Sequence, residues 1–165
     1  MIPGIVRPLA SVLVLLAAAW VWHSSGDLPA SVATKFSGGR VVHHEARESY
    51  RLLMSMAVLG IPALMVLLQT WLPRRFPRLS GIPFWRYWFE PERRDATLEF
   101  MEGLAWFVAL LASGWFTGFH ALLLSANAAR PPAFDTPALL VLCLGMVLGA
   151  LAAPVALSLR FRRPR

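Results

Sequence analysis

Four long apolar runs, separated by short charged or turn-rich segments, set the reading of this chain before any single residue does. They extend from about Ile5 to Trp22, Leu52 to Leu72, Leu104 to Ala126 and Pro137 to Leu159. Each is long enough to cross the roughly 30 Å hydrocarbon core of a bilayer. Lipid offers no partner to backbone N–H and C=O groups, so each run is predicted to be a helix. Pro62 removes one donor from the second helix and should kink it near Leu59 and Gly60. Trp20 and Trp22 follow Ala17, Ala18 and Ala19, which suits an interfacial anchor better than the flank of a cleaved signal peptide. The chain is therefore read as an all-α integral membrane protein: four transmembrane helices in a small bundle, residues 1–165 as one domain.

Composition agrees. The chain is 57% hydrophobic and only 15% charged, against about 45–50% and about 25% in soluble domains. So apolar a chain is neither a soluble globule nor disordered. The net charge of +7 would suggest nucleic acid in a soluble protein, but the charge lies beside the spans rather than on one basic face, and no nucleic-acid motif accompanies it. It acts instead as an orientation signal. Arg7, the six arginines from Arg74 to Arg94 and the four from Arg160 to Arg165 put eleven basic residues on one side; Lys35, Arg40, Arg47, Arg51 and Arg130 put five on the other. Positive excess marks the cytoplasmic side, so both termini are expected there, in a bacterial inner membrane. The lone Cys143 has no partner for an internal disulfide.

Two loops carry the identity of the chain. The outer loop (His23 to Arg51) holds turn signals at Pro29 and at Gly38 and Gly39, and Ser31 to Phe36 alternates enough for a short strand or extended segment. The stretch His43-His44-Glu45-Ala46-Arg47-Glu48 is expected to open the second helix. The inner loop (residues 73–103) clusters Phe84, Trp85, Tyr87, Trp88 and Phe89 among arginines, a composition suited to an anionic headgroup region. Pro91 followed by Glu92, Asp95 and Glu99 reads as a helix start, with Asp95 and Glu99 as partners for Arg93 and Arg94.

The outer loop reads Leu28-Pro29-x-x-Val32-Ala33-x-x-Phe36 with Gly39 close behind. This resembles the domain-of-unknown-function 1648 family, whose domain would cover residues 1–72. The family pattern has His where this chain has Lys35, and spaces its Gly about one residue further on. Arg86-Tyr87-Trp88-Phe89-Glu90-Pro91-Glu92-Arg93-Arg94 is similar to a Tyr-Trp-x-x-Pro-Glu-Arg-Arg element of these small proteins, and His120 and Asn127 sit near positions where relatives carry His and Asn. The family has no assigned function. It includes larger membrane proteins that protect bacteria from their own antimicrobial peptide and sequester a transcriptional repressor, so the resemblance implies an immunity or sensing role. By this analogy Leu28, Pro29, Lys35, Phe36 and Gly39 are candidate ligand contacts. Arg86, Tyr87, Trp88, Pro91, Glu92, Arg93 and Arg94 are candidate contacts for a membrane or cytoplasmic protein partner.

Local chemistry adds less. His43, His44 and Glu45 are metal-ligand types, but adjacent residues on a helix point about 100° apart, and no paired-ligand spacing occurs, so no metal site is expected. His120 lies deep in the third span. Its bland reading is a neutral ring bonded to a neighbouring helix near Thr117 or Asn127, and its functional reading is a proton relay or ligand contact. Glu102, at the edge of that span, faces headgroups or an Arg. Ser113 and Ser125 have no base in register, and no cofactor fingerprint occurs, so neither catalytic residues nor cofactors are assigned. Gly114 and Gly118, then Gly145, Gly149 and Ala153, recur every four residues and let helix backbones approach. Packing within the bundle is the first reading of that spacing and a homodimer the second. The chain reads as a non-enzymatic sensing, immunity or regulatory component; a small oligomeric transport or permeation unit, with His120 on the path, is the alternative, and an intramembrane enzyme is a weaker one.

Overall fold

A computed structural model describes residues 3–37 and 40–162 of the chain. Its elements are α1 (Pro3–Ser24), a 3₁₀ turn (Ser25–Asp27), β1 (Ser31–Ser37), β2 (Arg40–Ala46), α2 (Arg47–Arg75), a second 3₁₀ turn (Pro77–Leu79), α3 (Trp85–Trp88), α4 (Pro91–Ala128) and α5 (Thr136–Arg160). α1, α2, α4 and α5 are each long and apolar enough to cross a membrane, and together they form the expected four-helix bundle. Each contains the apolar run assigned to it and extends it by a few residues. α4 is longer because Pro91 starts it well before the apolar run, as the Pro-Glu signal implies. α2 continues unbroken through Pro62, which is buried.

His43 to Ala46 do not open α2; they form the second half of β2, paired antiparallel with β1. Ala46 is still extended (φ −63°, ψ 136°), and the helix begins at Arg47. The Val41-Val42 pair suits a strand, and the ladder with Ser31–Ser37 satisfies backbone groups that an isolated helical turn would leave open. Val32 and Ala33 of β1 are buried against the bundle, while Lys35 is exposed. The register shifts on either side of Lys35, an irregularity of the kind that bends one strand.

α4 is the centre of the bundle, touching α1, α2, α3 and α5. Alanines make this possible: Ala105, Ala109 and Ala112 are at most 4% exposed, so neighbouring backbones come close. At the hairpin end, Val21, Leu28, Val32, Tyr50, Met54, Val58 and Leu123 form one apolar core. α5 has no buried residues and, among the described residues, leans chiefly on α4. That contact is reciprocal, because Leu142 packs over Gly118 and Leu111 over Gly149. Gly114 and Gly145, read with them as packing residues, have open space beside them instead.

The two pairs of glycines should therefore behave differently. A Cβ at Gly118 would lie 2.9 Å from Leu142 Cδ1, and one at Gly149 would lie 2.7 Å from Leu111 Cδ1. Gly118→Val and Gly149→Val should each cost about 1–3 kcal/mol through overpacking, whereas Gly114→Val and Gly145→Val should stay within about 0.5 kcal/mol. Reversible unfolding of the purified chain in mixed micelles measures this; equal losses at all four would contradict the packing described.

Candidate functional site

The bundle buries a polar cluster near its hairpin end. His120 of α4 is fully buried, and both of its ring nitrogens have partners. Nε2 lies 2.9 Å from Ser24 Oγ of α1, and Nδ1 lies 2.7 Å from the Tyr50 hydroxyl of α2. The Ser24 hydroxyl also sits 2.7 Å from the Trp20 carbonyl, which only accepts, so its proton goes there. Ser24 therefore accepts from Nε2–H, and the remaining nitrogen, Nδ1, accepts from Tyr50. A neutral imidazole satisfies every contact in this arrangement. The Trp20 ring meets the imidazole edge-on at 5.3 Å, and the Tyr50 ring stacks on it at 5.7 Å. Ser24 and His120 have the residue types of a nucleophile and its base, but here the serine accepts rather than donates.

His120 thus joins three helices through Ser24 and Tyr50, not through Thr117 or Asn127. Thr117 donates to the Ser113 carbonyl of its own helix. The two partners lie 96 and 70 residues away in the chain, so no spacing rule reveals them; the available signals are a Tyr and a Ser beside the ends of apolar runs.

Asn127 has a different task. Its Oδ1 accepts the Ala33 N–H at 2.8 Å, and its Nδ2 donates to the Ala33 carbonyl at 3.1 Å and to the Leu123 carbonyl at 2.9 Å. The side-chain amide therefore imitates a neighbouring strand and fastens β1 to the end of α4. Leu28 is buried in the adjacent core. Pro29 is exposed where the chain leaves the 3₁₀ turn. Arg47 reaches the Gly26 and Leu28 carbonyls from the start of α2 and ties that turn down. Phe36 packs on Phe134 at 5.2 Å, and Phe134 in turn faces Phe119 of α4. Lys35 is exposed opposite His43, and Gly39 lies outside the described residues. The candidate ligand contacts therefore divide, with Leu28 and Phe36 serving packing and Pro29 and Lys35 open. His43 and His44, being on a strand rather than a helix, project to opposite faces. Among the described residues no three His, Cys, Asp or Glu converge as metal ligands do.

The opposite, arginine-rich end carries a second polar junction. Glu102 of α4, 14% exposed, bridges Arg7 of α1 at 3.0 Å and Arg74 of α2 at 3.3 Å. Of the two expectations for Glu102, pairing with an Arg is the one this geometry contains. A cleft of about 490 Å³ opens here, lined by Arg7, Arg74, Arg94 and Glu102 among others. Arg94 donates to the Arg74 carbonyl, and Arg93 pairs with Glu90 and Glu92. The partners expected at Asp95 and Glu99 are therefore replaced, for Arg93 by Glu90 and Glu92 at the start of α4, and for Arg94 by a backbone carbonyl of α2.

Within the Arg86–Arg94 element, Trp88 is an anchor. Its carbonyl accepts from the buried Thr97 at 2.9 Å, and its ring packs edge-on against Phe161 at 5.3 Å. Arg93 covers the Tyr87 ring at 4.0 Å, a cation–π contact. Arg86, Pro91, Glu92 and Arg94 are exposed. Phe84, just before α3, adopts the left-handed conformation (φ 55°) that bulky residues rarely take.

No model of a protein family matches the chain, and neither does a curated protein or a solved structure.

If His120 holds three helices together, its bonds should act as a unit. Tyr50→Phe and Ser24→Ala should each cost about 0.5–2 kcal/mol of unfolding free energy. In a His120→Leu background each cost should largely vanish, because the partner nitrogen is gone. Strict additivity in that double-mutant cycle would mean that the contacts do not contribute as described.

Proposed function

We propose that this chain is a non-enzymatic sensing, immunity or regulatory component of a bacterial inner membrane, receiving a signal at the hairpin end and presenting it at the arginine end. In this reading the arginine end and both termini face the cytoplasm, in accord with the eleven-to-five distribution of basic residues. The hairpin then faces outward. The role agrees with the one implied by the resemblance to the domain-of-unknown-function 1648 family.

One observation carries the proposal: a single helix grips both ends. α4 holds the hairpin through Asn127 and the Trp88 element through Thr97. Its 38 residues amount to about 57 Å at 1.5 Å per residue, more than the roughly 30 Å of hydrocarbon. A tilt or shift of α4 driven by the hairpin must move the segment that anchors Trp88. Such a rigid element with contacts on both sides supports signalling across a bilayer. The permeation alternative has less support, because His120, its proposed path residue, has both ring nitrogens engaged inside the packed core.

The test uses a photo-crosslinking residue in place of Tyr87, whose ring lies on the Trp88 element, in intact cells. A cytoplasmic partner should be trapped there, and the yield should change severalfold when Asn127→Ala detaches the hairpin at the far end. Parallel labelling with an impermeant maleimide, in a Cys143→Ser background, should reach Ser37→Cys but not Arg86→Cys. Trapping of copies of this chain alone, a yield indifferent to Asn127→Ala, or the reverse labelling pattern would each overturn the reading.

A further inference from the structure

Between α2 and α4, just below the hairpin, lies a cleft of about 330 Å³. That volume falls in the range of small-molecule sites, about 300–1,000 Å³. Its walls are apolar and aromatic: Tyr50 and Met54 of α2 on one side, Trp115, Phe116 and Phe119 of α4 on the other. Trp115 and Phe119 stack with their planes within 2° of parallel, 5.6 Å apart. Glu45 is the one charged residue in the lining.

Glu45 is there for a structural reason. It pairs in register with Val32, which is fully buried. Directly opposed residues of an antiparallel pair project to the same face, so the carboxylate lies on the face of the hairpin turned towards the bundle. A solvated acid belongs on the other face. Among the described residues, no Lys, Arg or His nitrogen comes within salt-bridge distance of it; the nearby Arg47 and Arg51 pair with Glu48 instead. The Tyr50 hydroxyl is already committed to His120. A half-buried carboxylate beside an aromatic cleft, unpaired by the protein, is complementary to a cation with an apolar tail.

We infer that this cleft binds an amphiphile with a protonated amine head, the ammonium paired with Glu45 and ringed by aromatic faces, and the alkyl chain laid along Met54 and Phe119. Two sources share this chemistry: an ethanolamine phospholipid of the bilayer and a soluble long-chain amine. The inference deepens the proposed function by naming the class of signal and rests on it for that role alone. The binding itself is measured without reference to any cytoplasmic output, so failure of one is distinguishable from failure of the other.

The experiment is equilibrium binding of radiolabelled dodecylamine to the purified full chain in neutral maltoside micelles. One saturable site should appear, and dodecanol, which lacks the charge, should not compete. Glu45→Gln keeps shape and hydrogen bonding but removes the charge, and should weaken binding about tenfold or more, as expected for loss of one charge-assisted bond. Glu45→Lys should reverse the preference, so that dodecyl phosphate binds in place of the amine. Competition by phosphatidylethanolamine assigns the site to a lipid headgroup, and competition by soluble amines only assigns it to a soluble amphiphile; either supports the cleft. Unchanged affinity in Glu45→Gln, or equal binding of dodecanol, overturns it. A change of preference in Glu45→Lys also shows that the variants still fold.

Discussion

Polar groups within a membrane protein must find their partners inside it, and α4 meets that requirement twice with the same two helices. His120 binds α1 through Ser24 and α2 through Tyr50; Glu102 binds α1 through Arg7 and α2 through Arg74. The two junctions stand 18 positions apart on one helix, about 27 Å along its axis. Two such junctions fix the register and rotation of α4 against α1 and α2, which dispersion between apolar surfaces alone specifies poorly in lipid. The buried alanines between them then allow close packing. α5 has no such junction among the described residues and rests outside on the reciprocal Leu142–Gly118 and Leu111–Gly149 contacts.

From this frame the two ends acquire their different characters. At one end Asn127 extends the polar logic beyond the bundle, giving Ala33 the hydrogen bonds that a third strand would otherwise supply. The hairpin is thereby held as a lid over the apolar core, with Glu45 on its inner face above an aromatic cleft. At the other end Thr97 holds the Trp88 carbonyl and Phe161 covers the Trp88 ring, so the exposed arginines of that element are displayed from a packed base rather than a loose loop. A hairpin surface and an arginine-rich surface attached to one helix form the arrangement on which the proposed regulatory role rests.

The spans were legible because lipid imposes a single rule on every residue they contain. The start of α4 was legible too, since Pro91 and Glu92 carry a local signal. β2 was not: His43-His44-Glu45-Ala46 has a composition compatible with a helix start, and its strand conformation depends on pairing with β1. For the site, depth in an apolar run marked out His120, but its partners lie on other helices and are fixed only by packing. The family resemblance singles out Asn127 by its position, whereas its grip on Ala33 depends on a hairpin that the pattern only allows. The glycine spacing was half informative, because two of the four glycines lie in the α4–α5 contact and two face open space.

Signalling along α4 demands mechanical continuity between its two ends. Hydrogen exchange of the full chain in lipid nanodiscs tests that directly, comparing the natural sequence with His120→Leu. Release of the junction at the hairpin end should alter protection not only at Val32 to Phe36 but also at Tyr87 to Phe89, at the far end of the helix. Changes confined to the hairpin end, with Tyr87 to Phe89 unaffected, would contradict it.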